Sequence, residues 1–186
     1  MTERIQSAIR FAIKAHTGQT RKGKGVPYIT HPLTVALILS QAGASEDIVI
    51  AGILHDVVED SDGAVALSDI EDKFGETVAG LVQHVTEEDK SLPWETRKRI
   101  ALAHIKDMSH DALLLKSADV LHNLSELVHD VEEQGDEVFE KFNAPKEKKL
   151  AQQQNLVKAL ESAWQENPLL SEVKENVAAL IEKANV

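Results

Sequence analysis

Residues 48–58, IVIAGILHDVV, are apolar on almost every face of a helix, and so are residues 112–128, ALLLKSADVLHNLSELV. Two such segments must lie inside a core, because a helix at a surface keeps one polar face. Each also carries a carboxylate into that core, Asp56 in the first and Asp119 in the second. A buried carboxylate is costly unless it is neutralised, hydrogen-bonded or bound to a metal. The first segment then runs directly into Glu59 and Asp60, with His55 just ahead of Asp56.

The remainder of the chain follows the same helical period. Ile5, Ala8, Ile9, Ala12 and Ile13 mark a one-faced helix, followed by a Gly/Lys-rich loop through Tyr28. Thr30 or His31 is expected to cap a second helix that Gly43 ends, and Ser45 a third that runs to about Glu59. Ser68 with Glu71 forms a candidate capping box. Further helices are expected near 75–86, 94–108, 111–134, 136–166 and 170–184, the last two broken at Asn167–Pro168. No stretch alternates long enough for a sheet, so the expected fold is all-α, an irregular helical bundle.

At 186 residues the chain fits one domain with a sizeable core, or one domain with a small extension. Cysteine is absent, which excludes disulfides and thiolate metal sites. Charges interrupt the first helix at regular intervals, so it lacks the apolar run of a signal peptide, and no run approaches a membrane span. These features suit a cytoplasmic enzyme or binding protein. A net charge of −11 argues against a nucleic-acid partner, whose affinity depends on neutralised phosphates. The basic cluster RKGKG, residues 21–25, stands out against that charge and suits a small anion, although a solvated loop would look the same.

On a helix, His55 and Glu59 stack four residues apart, as do Asp56 and Asp60, and Asp119 shares that spacing with Asn123. His31, His55, Asp56 and Asp119 together would make a mixed nitrogen–oxygen site suited to Mn, Fe or Zn rather than Mg or Ca. Taken singly, His31 reads as a helix cap, Asp119 as a buried hydrogen-bonding group, and Glu59–Asp60 as a solvated helix end.

Four stretches carry a resemblance. HTGQTRKGKGVPYITHP (16–32), GILHDVVEDS (52–61), VTEEDKSLPWETRKR (85–99) and LLLKSADVLHNL (113–124) resemble, in order, the motifs of the RelA/SpoT-type alarmone hydrolases, a branch of the HD-domain phosphohydrolases. The resemblance implies an HD-domain bundle over residues 1–134, with the helices of 135–186 packing on it or extending it. It implies a stand-alone hydrolase that removes the 3′-pyrophosphate of (p)ppGpp with Mn²⁺. His31, His55, Asp56 and Asp119 fall on the metal ligands, and Glu59 and Asp60 on the acids that assist attack by water. Arg21, Lys22, Tyr28 and Asn123 are the expected substrate contacts. Val120 and Ser125 stand where the family usually has basic residues, and Lys90, Arg97, Lys98 and Arg99 are the nearby cations. That departure keeps open another nucleotide or phosphorylated metabolite as substrate; a nucleotide sensor without activity is a third reading, against which the complete set of His31, His55, Asp56, Glu59, Asp60 and Asp119 argues. Beyond Asp130 the resemblance fades, leaving those helices a packing or homo-oligomer role.

Overall fold

A computed structural model describes the chain except for residues 23, 62, 88–90, 143, 185 and 186. The described residues are helical, with a single isolated bridge between Thr20 and Pro27 and no named strand. The chain divides into two compact units, Met1–Glu88 and Asp89–Val186.

The first unit holds α1 (Glu3–Ala15), α2 (Thr30–Gln41), α3 (Glu46–Leu54), α4 (Leu67–Phe74) and α5 (Glu76–Val85). α3 is its centre, packed on α1, α2 and α5. Every residue from Ile48 to Leu54 is buried, as the all-round apolar pattern requires. Ser45 caps α3 as expected, its hydroxyl accepting from the Ile48 amide.

Gly52 lets α2 and α3 close together. A Cβ at this position would lie 2.5 Å from Leu39 Cδ1, and Leu39 is itself fully buried. Gly52→Ala gains helix propensity of about 1 kcal/mol. Overpacking a buried contact costs about 1–3 kcal/mol, and that term should win because Leu39 has nowhere to move. We expect a lower urea midpoint for this variant; an unchanged midpoint would show that the α2–α3 contact yields freely.

Three local expectations are corrected. α3 ends at Leu54 rather than near Glu59. The Gly52 carbonyl, which helix continuation would offer to the amide of Asp56, accepts instead from the His55 ring at 2.8 Å. Neither Thr30 nor His31 caps α2, because Thr30 is already helical and its hydroxyl donates to the Pro27 carbonyl. A backbone turn does the work, with the Thr30 and His31 amides bonding Pro27 and Tyr28 carbonyls. Ser68 and Glu71 form no capping box: α4 starts at Leu67, and Asp69 accepts from the Ala66 amide at 2.8 Å.

The second unit holds α6 (Trp94–His104), a 3₁₀ turn (Ile105–Asp107), α7 (His110–Gln134), α8 (Lys146–Ala163) and α9 (Leu170–Ala184). α7 is its spine, capped by Ser109 and packed on α9, which also packs on α8. The helix expected over 136–166 is split. A 3₁₀ segment covers Gly135–Lys141, and α8 begins only after Pro145. Proline lacks the amide hydrogen and clashes with the preceding turn, so it starts a helix rather than continuing one. Asn167, buried at the α8–α9 corner, donates to the Ser117 hydroxyl at 2.8 Å and fastens that corner to α7.

Candidate metal centre

His31 occupies the first turn of α2 and is 1% exposed. His55 lies just past the end of α3 and is also buried. Its Nδ1 faces the Gly52 carbonyl, which can only accept, so Nδ1 holds the proton and Nε2 presents its lone pair. That Nε2 lies 3.2 Å from Asp56 Oδ2, and His31 Nε2 lies 3.5 Å from the same oxygen. One ligand atom from each of the three residues falls within 4.8 Å of the others. Two imidazole nitrogens and one carboxylate oxygen form a donor set suited to a divalent transition metal, and the His55 tautomer is the one that can bind it.

Tyr28 holds the carboxylate in place, its hydroxyl donating to Asp56 Oδ2 at 2.6 Å. Burial, reinforced by Asp56 and Asp60, pushes the phenol far above its ordinary pKa and keeps it a donor. The Arg21 guanidinium sits 5.7 Å from the centre of the Tyr28 ring. The Arg21 backbone amide donates to the Val26 carbonyl at 2.8 Å across the loop, while Lys22 is exposed. Gly23 of the basic cluster, and Lys90, lie outside the described residues.

Glu59 and Asp60 follow the centre on turns rather than on a regular helix. Glu59 Oε2 accepts from the Glu87 amide at 3.1 Å, and the Asp60 amide bonds the Asp56 carbonyl at 2.9 Å. The structure thus brings His31, His55 and Tyr28 together around the Asp56 carboxylate.

Asp119 belongs to the second unit, on α7. Lys116 Nζ lies 2.8 Å from its Oδ2, and Asn123 Nδ2 donates to its Oδ1 at 2.6 Å. These three residues form a hydrogen-bonded polar group on a helix whose neighbouring residues Ser117, Ala118, Val120, Leu121 and Leu124 are buried. Val120 is buried and the Ser125 hydroxyl donates to the His122 carbonyl, so neither supplies a charge. Arg97 and Lys98 are partly buried on α6, and Arg99 is exposed.

Two residues that the sequence did not single out sit beside the centre. His16 is buried, with its ring centroid 4.9 Å from that of Tyr28 and its Nδ1 2.6 Å from Gln19 Oε1. Gln19 Nε2 donates to the Asp60 carbonyl at 2.6 Å. Both lie inside the first quoted motif, yet nothing in that stretch marks them apart from loop residues.

A family model for the HD domain matches residues 8–147. The zebrafish protein named guanosine-3′,5′-bis(diphosphate) 3′-pyrophosphohydrolase MESH1 is 44% identical over 126 residues, spanning 66% of this chain and 68% of its own. Its human counterpart is 43% identical, over 66% of this chain and 69% of its own. The Aquifex aeolicus enzyme of the same activity name is 41% identical over 67% of this chain, which is only 18% of that longer protein. Among solved structures, a metazoan ortholog of SpoT, described as hydrolysing ppGpp, superposes with a TM-score of 0.79 at 30% identity, covering 96% of each chain. A Listeria monocytogenes protein superposes with a TM-score of 0.73 at 32% identity, over 82% of this chain and 99% of its own. Motifs, helical architecture and the His–His–Asp centre agree with these likenesses, and the chain belongs to the HD-domain family, in the group that contains the MESH1 proteins.

Proposed function

We propose that this chain is a Mn²⁺-dependent hydrolase that removes the 3′-pyrophosphate of (p)ppGpp, releasing GDP or GTP and pyrophosphate. The observation that carries the assignment is the convergence of His31 Nε2 and His55 Nε2 on Asp56 Oδ2, with Glu59 and Asp60 following directly. His31, His55 and Asp56 would hold the ion, and for Asp119 a ligand role rests on the resemblance of its motif alone. When bound, a divalent ion draws charge from a phosphoryl oxygen and lowers the pKa of water.

The chain's own residues then supply positioning and proton transfer, which is most of what phosphoryl transfer asks of a protein. Tyr28 keeps Asp56 oriented. Glu59 and Asp60 take a proton from the attacking water and return one to the ribose 3′-oxygen as its bond to the pyrophosphate breaks. Arg21 and Lys22 offer positive charge to the anionic nucleotide, and Asn123 helps to place the substrate while it bonds Asp119. An enzyme acting on a nucleotide pool, with no cysteine to oxidise, is assigned to the cytoplasm. No helix of the described residues is long and apolar enough to cross a membrane.

Buried Val120 and back-bonded Ser125 favour a second assignment, the same chemistry on a less highly charged phosphorylated substrate. One experiment separates the two. The protein is stripped with chelator, reloaded with Mn²⁺, and given ppGpp, pppGpp and a panel of nucleotide monophosphates. GDP and pyrophosphate from ppGpp, formed only with metal, are the expected products. Faster turnover of an ordinary monophosphate than of ppGpp would move the assignment to the second substrate class.

A further inference from the structure

Because α3 stops at Leu54, a continuous helix does not fix the backbone that carries Glu59 and Asp60. A closed ring of hydrogen bonds does so instead. The Gln19 carbonyl accepts from the Tyr28 amide at 2.9 Å, and the Tyr28 hydroxyl donates to Asp56 Oδ2 at 2.6 Å. The Asp56 carbonyl accepts from the Asp60 amide at 2.9 Å, and the Asp60 carbonyl accepts from Gln19 Nε2 at 2.6 Å. The ring ties the loop after α1 to both the metal centre and the acid pair, and Gln19 closes it.

The direction of the Gln19 amide is set by its neighbours. A backbone carbonyl can only accept, so the nitrogen end faces Asp60 and the oxygen end faces His16. An amide oxygen 2.6 Å from His16 Nδ1 requires a proton there. His16 is 4% exposed and its ring lies against that of Tyr28, so it has little freedom to release Gln19. A flipped amide would set oxygen against the Asp60 carbonyl.

We propose that Gln19, oriented by His16, is a positioning residue: it holds the Asp60 carbonyl and so sets the placement of Glu59 and Asp60 beside the His31–His55–Asp56 centre. Its kinetic consequence rests on the phosphohydrolase function proposed above, whereas its structural consequence does not. Gln19→Glu tests both. The glutamate keeps the length and the acceptor toward His16 but, when ionised, has no hydrogen to give the Asp60 carbonyl.

In the full-length, metal-reconstituted protein we expect amide exchange over residues 55–61 to speed up roughly 3–10-fold, the factor set by one ordinary hydrogen bond. We expect kcat to fall about 100-fold, the scale of a small misplacement of a reacting group. KM and the Mn²⁺ dissociation constant should stay within about twofold, which general unfolding would not allow. Gln19→Met, neutral and of similar length, should behave alike and serves if the glutamate variant does not fold. Unchanged exchange over 55–61 would overturn the proposal, as would a loss of kcat matched by an equal loss of Mn²⁺ affinity. If the wild-type protein turns over no nucleotide, the substrate assignment fails, and the exchange measurement alone decides the role of Gln19.

Discussion

Asp56→Asn is expected to keep its fold and lose its metal. Asp56 Oδ2 is where three groups meet: the Tyr28 hydroxyl at 2.6 Å, His55 Nε2 at 3.2 Å and His31 Nε2 at 3.5 Å. Asparagine preserves the volume and can turn an amide oxygen toward the Tyr28 hydroxyl, so the hydrogen bond survives. The negative charge does not. Two neutral imidazoles and an amide oxygen are a poor match for a dication that selects among nitrogen and carboxylate donors. Losing a group that merely orients a ligand costs about 10–100-fold in affinity, so losing a ligand's charge should cost at least about 100-fold. Titration calorimetry of chelator-stripped protein with Mn²⁺ reads this directly. Thermal melting gives a second readout, because an ion at 100 times its dissociation constant stabilises the native state by about 2.7 kcal/mol. Mn²⁺ should therefore raise the melting temperature of the wild-type protein and leave that of Asp56→Asn nearly unmoved. Equal Mn²⁺ affinity in the two proteins would remove Asp56 from the ligand set.

Particular residues explain what could be read from the chain and what could not. Ile48 to Leu54 declared a central helix because no surface helix can be apolar on all sides, and the structure buries all seven. His55 and Asp56 stood out for a related reason, as polar groups at the end of an apolar run need partners, whereas His31 on its own reads as a helix cap and joins them through its motif. The end of α3 was not legible. There the His55 ring bonds back to the Gly52 carbonyl, a local contact that spacing does not encode. Gln19 was hidden more deeply, since its role comes from the Asp60 carbonyl, 41 residues away in sequence. The α2 start misled because cap rules look for a side chain, and here backbone amides at Thr30 and His31 are already paired in a turn. Pro145 is the readable mark of the split within 136–166, because proline cannot continue a helix and starts α8 instead.

Glu59→Gln should separate chemistry from assembly. Glu59 Oε2 accepts from the Glu87 amide at 3.1 Å, a bond that a glutamine oxygen can make equally well. The turn at the end of α5 should therefore stay attached, and the His31–His55–Asp56 centre does not include this side chain. Mn²⁺ affinity and the melting temperature are expected to match the wild-type protein. What glutamine cannot do is take a proton from attacking water or give one to the departing ribose 3′-oxygen. Positioned acid–base groups contribute about 10²–10⁴-fold to rate, so kcat should fall by that factor while KM changes little. Asp60→Asn supplies the comparison, because it removes the other carboxylate proposed to exchange protons. If both acids exchange protons, each single variant should be nearly as slow as the double, since groups that act as one unit lose their effect together. A Glu59→Gln protein that turns over at the wild-type rate would leave Asp60 alone as the proton carrier, and Gln19, which grips its carbonyl, would then act through Asp60 only.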